Sequence, residues 1–135
     1  MTERLQEILI ELGKMIDIPL YVDSENSCTL MIEGTLRIQI ELEKMEQRLI
    51  VGAFIGTIPP GKFRENVLTH TLQANHLYPR IGTFGYNIFA NELLLFETFD
   101  IDTINGRKLA DFLFEIVPKA ISYKKGIESG HLPTP

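Results

Sequence analysis

A chain of 135 residues has the length of one domain and can bury roughly two-thirds of its unfolded surface, so it needs neither a metal nor a disulfide staple to fold. Its formal charge of −5 comes without a run of one sign, which argues against nucleic acid, since phosphate backbones demand a concentrated basic footprint. A lone cysteine, Cys28, excludes an internal disulfide, and no stretch approaches the roughly 20 apolar residues that span a bilayer. The opening Met1-Thr2-Glu3-Arg4-Leu5 is unlike a secretory leader, so the expected setting is a reducing cytoplasm without membrane insertion.

From Glu3 to Ile16, Leu5, Ile8, Leu9, Leu12 and Ile16 recur at helical spacing, and Asp17-Ile18-Pro19 ends the pattern. This is an amphipathic first helix, with Ile10 turned away from its apolar stripe. Cys28 to Ile32 reads as a strand, and Glu33-Gly34 supplies a tight turn. Leu36, Ile38, Ile40 and Leu42 then alternate with Arg37, Gln39 and Glu41, the period of a sheet with one buried and one wet face. A polar turn, Glu43 to Gln47, leads to a third strand, Arg48 to Ile55. Strands this closely spaced must form an antiparallel meander, because parallel pairing needs a crossover of about a dozen residues.

Thr57-Ile58-Pro59-Pro60-Gly61 breaks the strand and opens a second helix, Lys62 to Leu77. Phe63, Val67, Ala74 and Leu77 fall on one side of it and Leu68 and Leu72 nearly opposite. One stripe suffices to dock a helix on its own sheet, so the second predicts a contact with another copy of the chain, unless the third helix covers it within the subunit. Phe84, Tyr86 and Ile88 make a fourth strand and Leu93 to Phe96 a fifth. The last helix starts near Thr103 to Asn105 and carries Leu109, Phe112, Leu113, Ile116, Val117 and Ala120. Pro118 predicts a kink or an early end there, since it lacks an amide and crowds the carbonyl of Phe114. Residues 1–125 are expected to form a single α+β domain, α-β-β-β-α-β-β-α, and 126–135 a flexible tail.

Gly56 to Lys62 fits the G-x-x-x-x-G-K frame of a phosphate-binding loop. Pro59 and Pro60, however, delete two of the amides that would cradle phosphate, and Phe63 stands where a magnesium-binding hydroxyl belongs. His70 and His76 are six apart on a helix and His131 lies in the expected tail, an awkward set for zinc. Cys28 has no basic neighbour or Cys-x-x-Cys partner to lower its thiol pKa. No acid–base pair stands out, so the residues point to binding rather than catalysis, with no metal or cofactor.

The order of elements resembles that of the class I type III secretion chaperones, the Tir chaperone family. Leu49 to Gly56 followed by Ile58-Pro59 looks like that family's third strand and its turn into the second helix. Leu68 to Leu72 followed by Ala74-Asn75 is similar to its leucine-rich helix, and Glu92 to Leu95 with Leu109, Phe112 and Leu113 to its final hairpin and helix. The chain departs from the family at His76 to Arg80, where small residues are common, and in placing its late aromatic, Tyr123, beyond Pro118.

The resemblance implies a homodimer without enzymatic activity, whose partner is the extended N-terminal segment of a secreted effector; docking to the export ATPase is left open. By that analogy the client-binding residues are Leu5, Ile8, Leu9, Leu12, Leu30, Ile32 and Ile38, and the dimer interface is Leu68 and Leu72 with Phe84 and Tyr86. The alternative is a dimeric interaction or regulatory module of the same fold with a folded partner.

Overall fold

The computed structural model describes residues 2–43, 45 and 47–134. Its elements follow the expected order: α1 (Thr2–Ile16), β1 (Ser27–Ile32), β2 (Leu36–Glu43), β3 (Arg48–Thr57), α2 (Lys62–His76), β4 (Thr83–Asn87), β5 (Glu92–Asp100) and α3 (Gly106–Ser129). The strands form one antiparallel sheet in the order β1-β2-β3-β5-β4, which leaves β1 and β4 at its margins.

Alternation decides which side of the sheet is covered. Leu36, Ile38, Ile40 and Leu42 of β2, Leu49, Val51 and Ala53 of β3, and Leu93 and Leu95 of β5 are buried in one core with the apolar stripes of α1 and α3. The opposite face carries Gln39, Glu41, Ile50, Phe54, Leu94 and Phe96 around a shallow cleft. Arg37 stacks on Phe54 there, its guanidinium 3.7 Å from the ring centre.

Polar groups of α1 fix the start of α3. Arg4 donates to the carbonyls of Ile101 and Ile104, and Glu11 accepts from the amide of Gly106. The approach is close enough that a Cβ on Gly106 would stand 2.6 Å from the Glu11 side chain. Asn105 caps the helix, accepting from the amide of Lys108 at 2.8 Å.

One expectation about the C-terminal part, the end of the domain, is corrected. Helix α3 passes through Pro118 without ending. It also runs to Ser129, so the boundary expected after residue 125 comes too early: Gly126 and Ile127 are buried helical residues. Gly130, at φ 81°, terminates the helix in the left-handed conformation open to glycine, and the chain folds back so that the amide of His131 bonds to the Gly126 carbonyl at 2.9 Å. Strand β5 is longer than expected too, reaching Asp100 rather than Phe96.

The phosphate-loop frame has a packing role. Ile58 is fully buried, its amide bonds to Asn91, and its carbonyl accepts from both Nε and Nη2 of Arg64, at 3.1 and 2.6 Å. Lys62 is exposed and faces Glu65 at 3.5 Å.

Candidate functional site

The two margins of the sheet carry the candidate binding features. At the β1 margin, the loop from α1 is held by Asp23, whose carboxylate accepts from the hydroxyl and amide of Ser27 and the amide of Glu25 at 2.8 to 3.0 Å. These bonds hold the Asp23 carboxyl below its ordinary pKa, the Ser27 hydroxyl contributing most. Among the described residues this loop satisfies only the start of the strand, where the Asp23 amide bonds to the Ser27 carbonyl. Beyond Cys28 no strand or loop among the described residues pairs with the outer edge of β1. Cys28 itself is buried, and burial pushes its thiol pKa up, which suits a packing role.

Beside the far end of β1 lies an apolar groove of about 270 Å³, lined by Ile16, Ile18, Ile32, Ala110, Leu113, Phe114, Val117 and Pro118. Phe114 is 69% exposed on its rim. Pro118 lacks the amide that would have bonded to the Phe114 carbonyl, so the helix interruption read from the sequence sits at this groove without breaking the helix.

Of the expected client-binding residues, only Ile32 lines the groove. Leu5, Ile8, Leu9, Leu12, Leu30 and Ile38 are buried in the core of the single subunit, and the expectation that they meet a client directly is corrected. Apolar residues at helical spacing serve first to dock the helix on its own sheet, and here that use consumes Leu5, Ile8, Leu9 and Leu12, leaving Ile16 half-buried at the groove. Ile10 is exposed, as its position away from the stripe predicts.

At the β4 margin, the four residues expected in the dimer interface come together around one groove of about 250 Å³, with Thr71, Asn75, Gly85 and Leu93. Leu72 is 71% exposed, so α3 does not cover the second stripe of α2. Leu68 and Tyr86 are half-buried, and Tyr86 donates its hydroxyl to Asn91 at 2.6 Å. Phe84 is buried beneath, its ring centre 4.6 Å from that of Tyr123. Tyr123 in turn meets His70, oxygen to Nε2, at 2.9 Å.

Sequence reasoning gave Asn75 no physical role. Its side chain accepts from the Phe84 amide at 2.8 Å and donates to the Phe84 carbonyl at 3.0 Å, occupying the outer edge of β4 as a neighbouring strand would. The signal was the Ala74-Asn75 pair at the end of a helix that leads into a strand, but its meaning needs the tertiary contact.

Residues 7–124 match the Tir chaperone protein (CesT) family. The chain belongs to that family. This agrees with the resemblance seen in the sequence and makes the protein a chaperone of type III secretion.

Solved structures have the same fold. A chain of the HopA1–SchA chaperone–effector complex superposes with a TM-score of 0.72 at 12% identity, with 95% of each chain covered. A chain of the ExsC–ExsE complex gives 0.76 at 17% identity, over 94% of this chain and 96% of that one. The Yersinia pestis type III secretion chaperone SycH, in complex with a fragment of YscM2, gives 0.69 at 18% identity, over 87% of this chain and 97% of that one. A comparison with curated protein sequences gave no significant match. No helix among the described residues is long and apolar enough to cross a membrane.

Proposed function

We propose that this chain works in the cytoplasm as a homodimer, without catalysis or cofactor, and holds the extended N-terminal segment of an effector protein along the open margin of β1. The observation that carries this reading is an unpaired strand edge running into an apolar groove whose rim exposes Phe114. A segment added to that edge gains main-chain hydrogen bonds, while its apolar side chains enter the groove. The buried residues of α1, Leu5 to Leu12, with Leu30 and Ile38, support this surface from beneath. The HopA1–SchA structure is itself a chaperone–effector complex on this fold. The β4 groove, with Leu72 exposed and Phe84 as its floor, is proposed as the dimer contact.

Co-expression with an N-terminal effector fragment tests the reading. The fragment should co-purify, resist protease only in the complex, and lose at least about tenfold in affinity to Phe114→Asp, a change of about 1.4 kcal/mol. A partner that binds only when folded, or equal binding by the variant, would overturn it.

A further inference from the structure

The loop from Leu77 to Ile81, joining α2 to β4, and Pro133-Thr134 after α3 line an open cavity of about 620 Å³ between the end of α2 and α3. That volume is in the range that holds small ligands. Leu77, Ile81 and Pro133 contribute apolar wall, and Ser122 and Thr134 contribute hydroxyls. Among the described residues the only charged side chains lining it are cationic, Arg80 and Lys119. The cavity shares no lining residue with the β1 groove or the β4 groove.

Two cations side by side are unusual in a chain whose net charge is −5, and among the described residues neither has a carboxylate partner. The guanidinium of Arg80 stacks on Tyr78 at 4.4 Å, and its Nη1 is shut off from solvent without an acceptor. A buried charged donor left unbonded is costly, so such a group marks a place where an acceptor is wanted. Lys119 donates to the Ile81 carbonyl at 2.8 Å and keeps further N–H donors. Burial first, and then the charge of Arg80, hold its ammonium below the ordinary lysine pKa. The bond to Ile81 gives Lys119 a structural use, but nothing among the described residues answers the unbonded Arg80 nitrogen.

We infer that this cavity is an oxyanion site in which Arg80 and Lys119 together take a carboxylate or phosphate group. The planar fork of arginine suits two-oxygen acceptors, and lysine adds a second positive charge from α3. An anion between them satisfies the stranded donor and relieves the repulsion of the pair. Its source is either an acidic side chain of a bound polypeptide or free phosphate.

The full chain is titrated with sodium phosphate and with sodium chloride at matched ionic strength, following the backbone amide resonances of Arg80, Ile81, Lys119 and Ser122. Phosphate should shift them saturably and chloride should not, and Arg80→Gln and Lys119→Gln should each weaken the response at least tenfold. A second arm uses the peptide Gly-Leu-Glu-Leu-Gly and its glutamine counterpart. If the glutamate peptide alone shifts these resonances more tightly than phosphate, the source is a polypeptide; if phosphate is the tighter, it is the free ion. Arg80→Lys, which keeps the charge and loses the fork, serves where a glutamine variant fails to fold and should also bind more weakly. No saturable shift with either anion, or unchanged binding in the folded variants, would sink the inference.

Discussion

At one margin of the sheet, β4 gives the amide and carbonyl of Phe84 to the side chain of Asn75; at the other, among the described residues, the outer edge of β1 is tied down only where Asp23 meets Ser27. An open strand edge invites any extended chain to pair with it, and folded proteins blunt such edges. This chain blunts one and leaves the other free beside an apolar groove. The asymmetry suits the two tasks proposed for these surfaces, side-chain contact with another copy at β4 and main-chain pairing with a client at β1.

Opening the closed edge should have the largest effect. Asn75→Ala removes both bonds to Phe84 and should cost about 1–3 kcal/mol, read as a lower urea midpoint. Asn75→Asp should cost more, because its carboxylate faces the Phe84 carbonyl with no proton to donate. Both variants should form species larger than the proposed dimer, by sedimentation, at concentrations where the native chain does not. An unchanged midpoint in both would mean that Asn75 does not hold the edge.

The two margins were unequally legible in sequence. The alternation from Leu36 to Leu42 and the stripe from Leu5 to Ile16 define their elements, because burial of one face imposes a period. The same period cannot say what covers that face; the family analogy assigned Leu5, Ile8, Leu9 and Leu12 to a client surface, and they lie in the core. Leu72 was legible because it stands opposite a stripe sufficient to dock α2. Asn75 and Arg80 were not, since their roles depend on backbone or neighbours that the fold brings to them. The end of α3 was misjudged because the two glycines and two prolines after Lys125 read as a tail, although Gly126 is helical and only Gly130 ends the helix.

A change confined to the β4 groove should come next in size. Leu68→Asp with Leu72→Asp should weaken the proposed dimer at least about tenfold, or about 1.4 kcal/mol, by sedimentation. The exposure of Leu72 means that Leu72→Asp alone should leave the melting of the subunit little changed at low concentration. A dimer of undiminished stability in the double variant would move the contact away from this margin.

Behind the closed edge, Tyr123→Phe keeps the ring against Phe84 and removes the hydroxyl that meets His70. The expected loss is about 0.5–1.5 kcal/mol, measured by urea unfolding. Effector binding at the open edge should not change, and a fall in affinity would show that the two margins are coupled.

The smallest expected effect is a pH dependence belonging to the closed edge alone. Burial lowers the pKa of His70 from its ordinary value of 6.5, so the unfolded chain takes up the proton more readily than the folded one. The stabilisation is therefore whole above about pH 6.5 and declines as pH falls through that value toward the folded-state pKa. Tyr123, the group facing His70, has its own pKa raised by burial and stays protonated throughout this window. Unfolding in urea at pH 7.5 and 5.5 should show a smaller decline for His70→Gln than for the native chain, while His76 and His131, both exposed, serve as controls. An equal decline in both proteins would place the titrating group elsewhere and remove His70 from the support of the β4 margin.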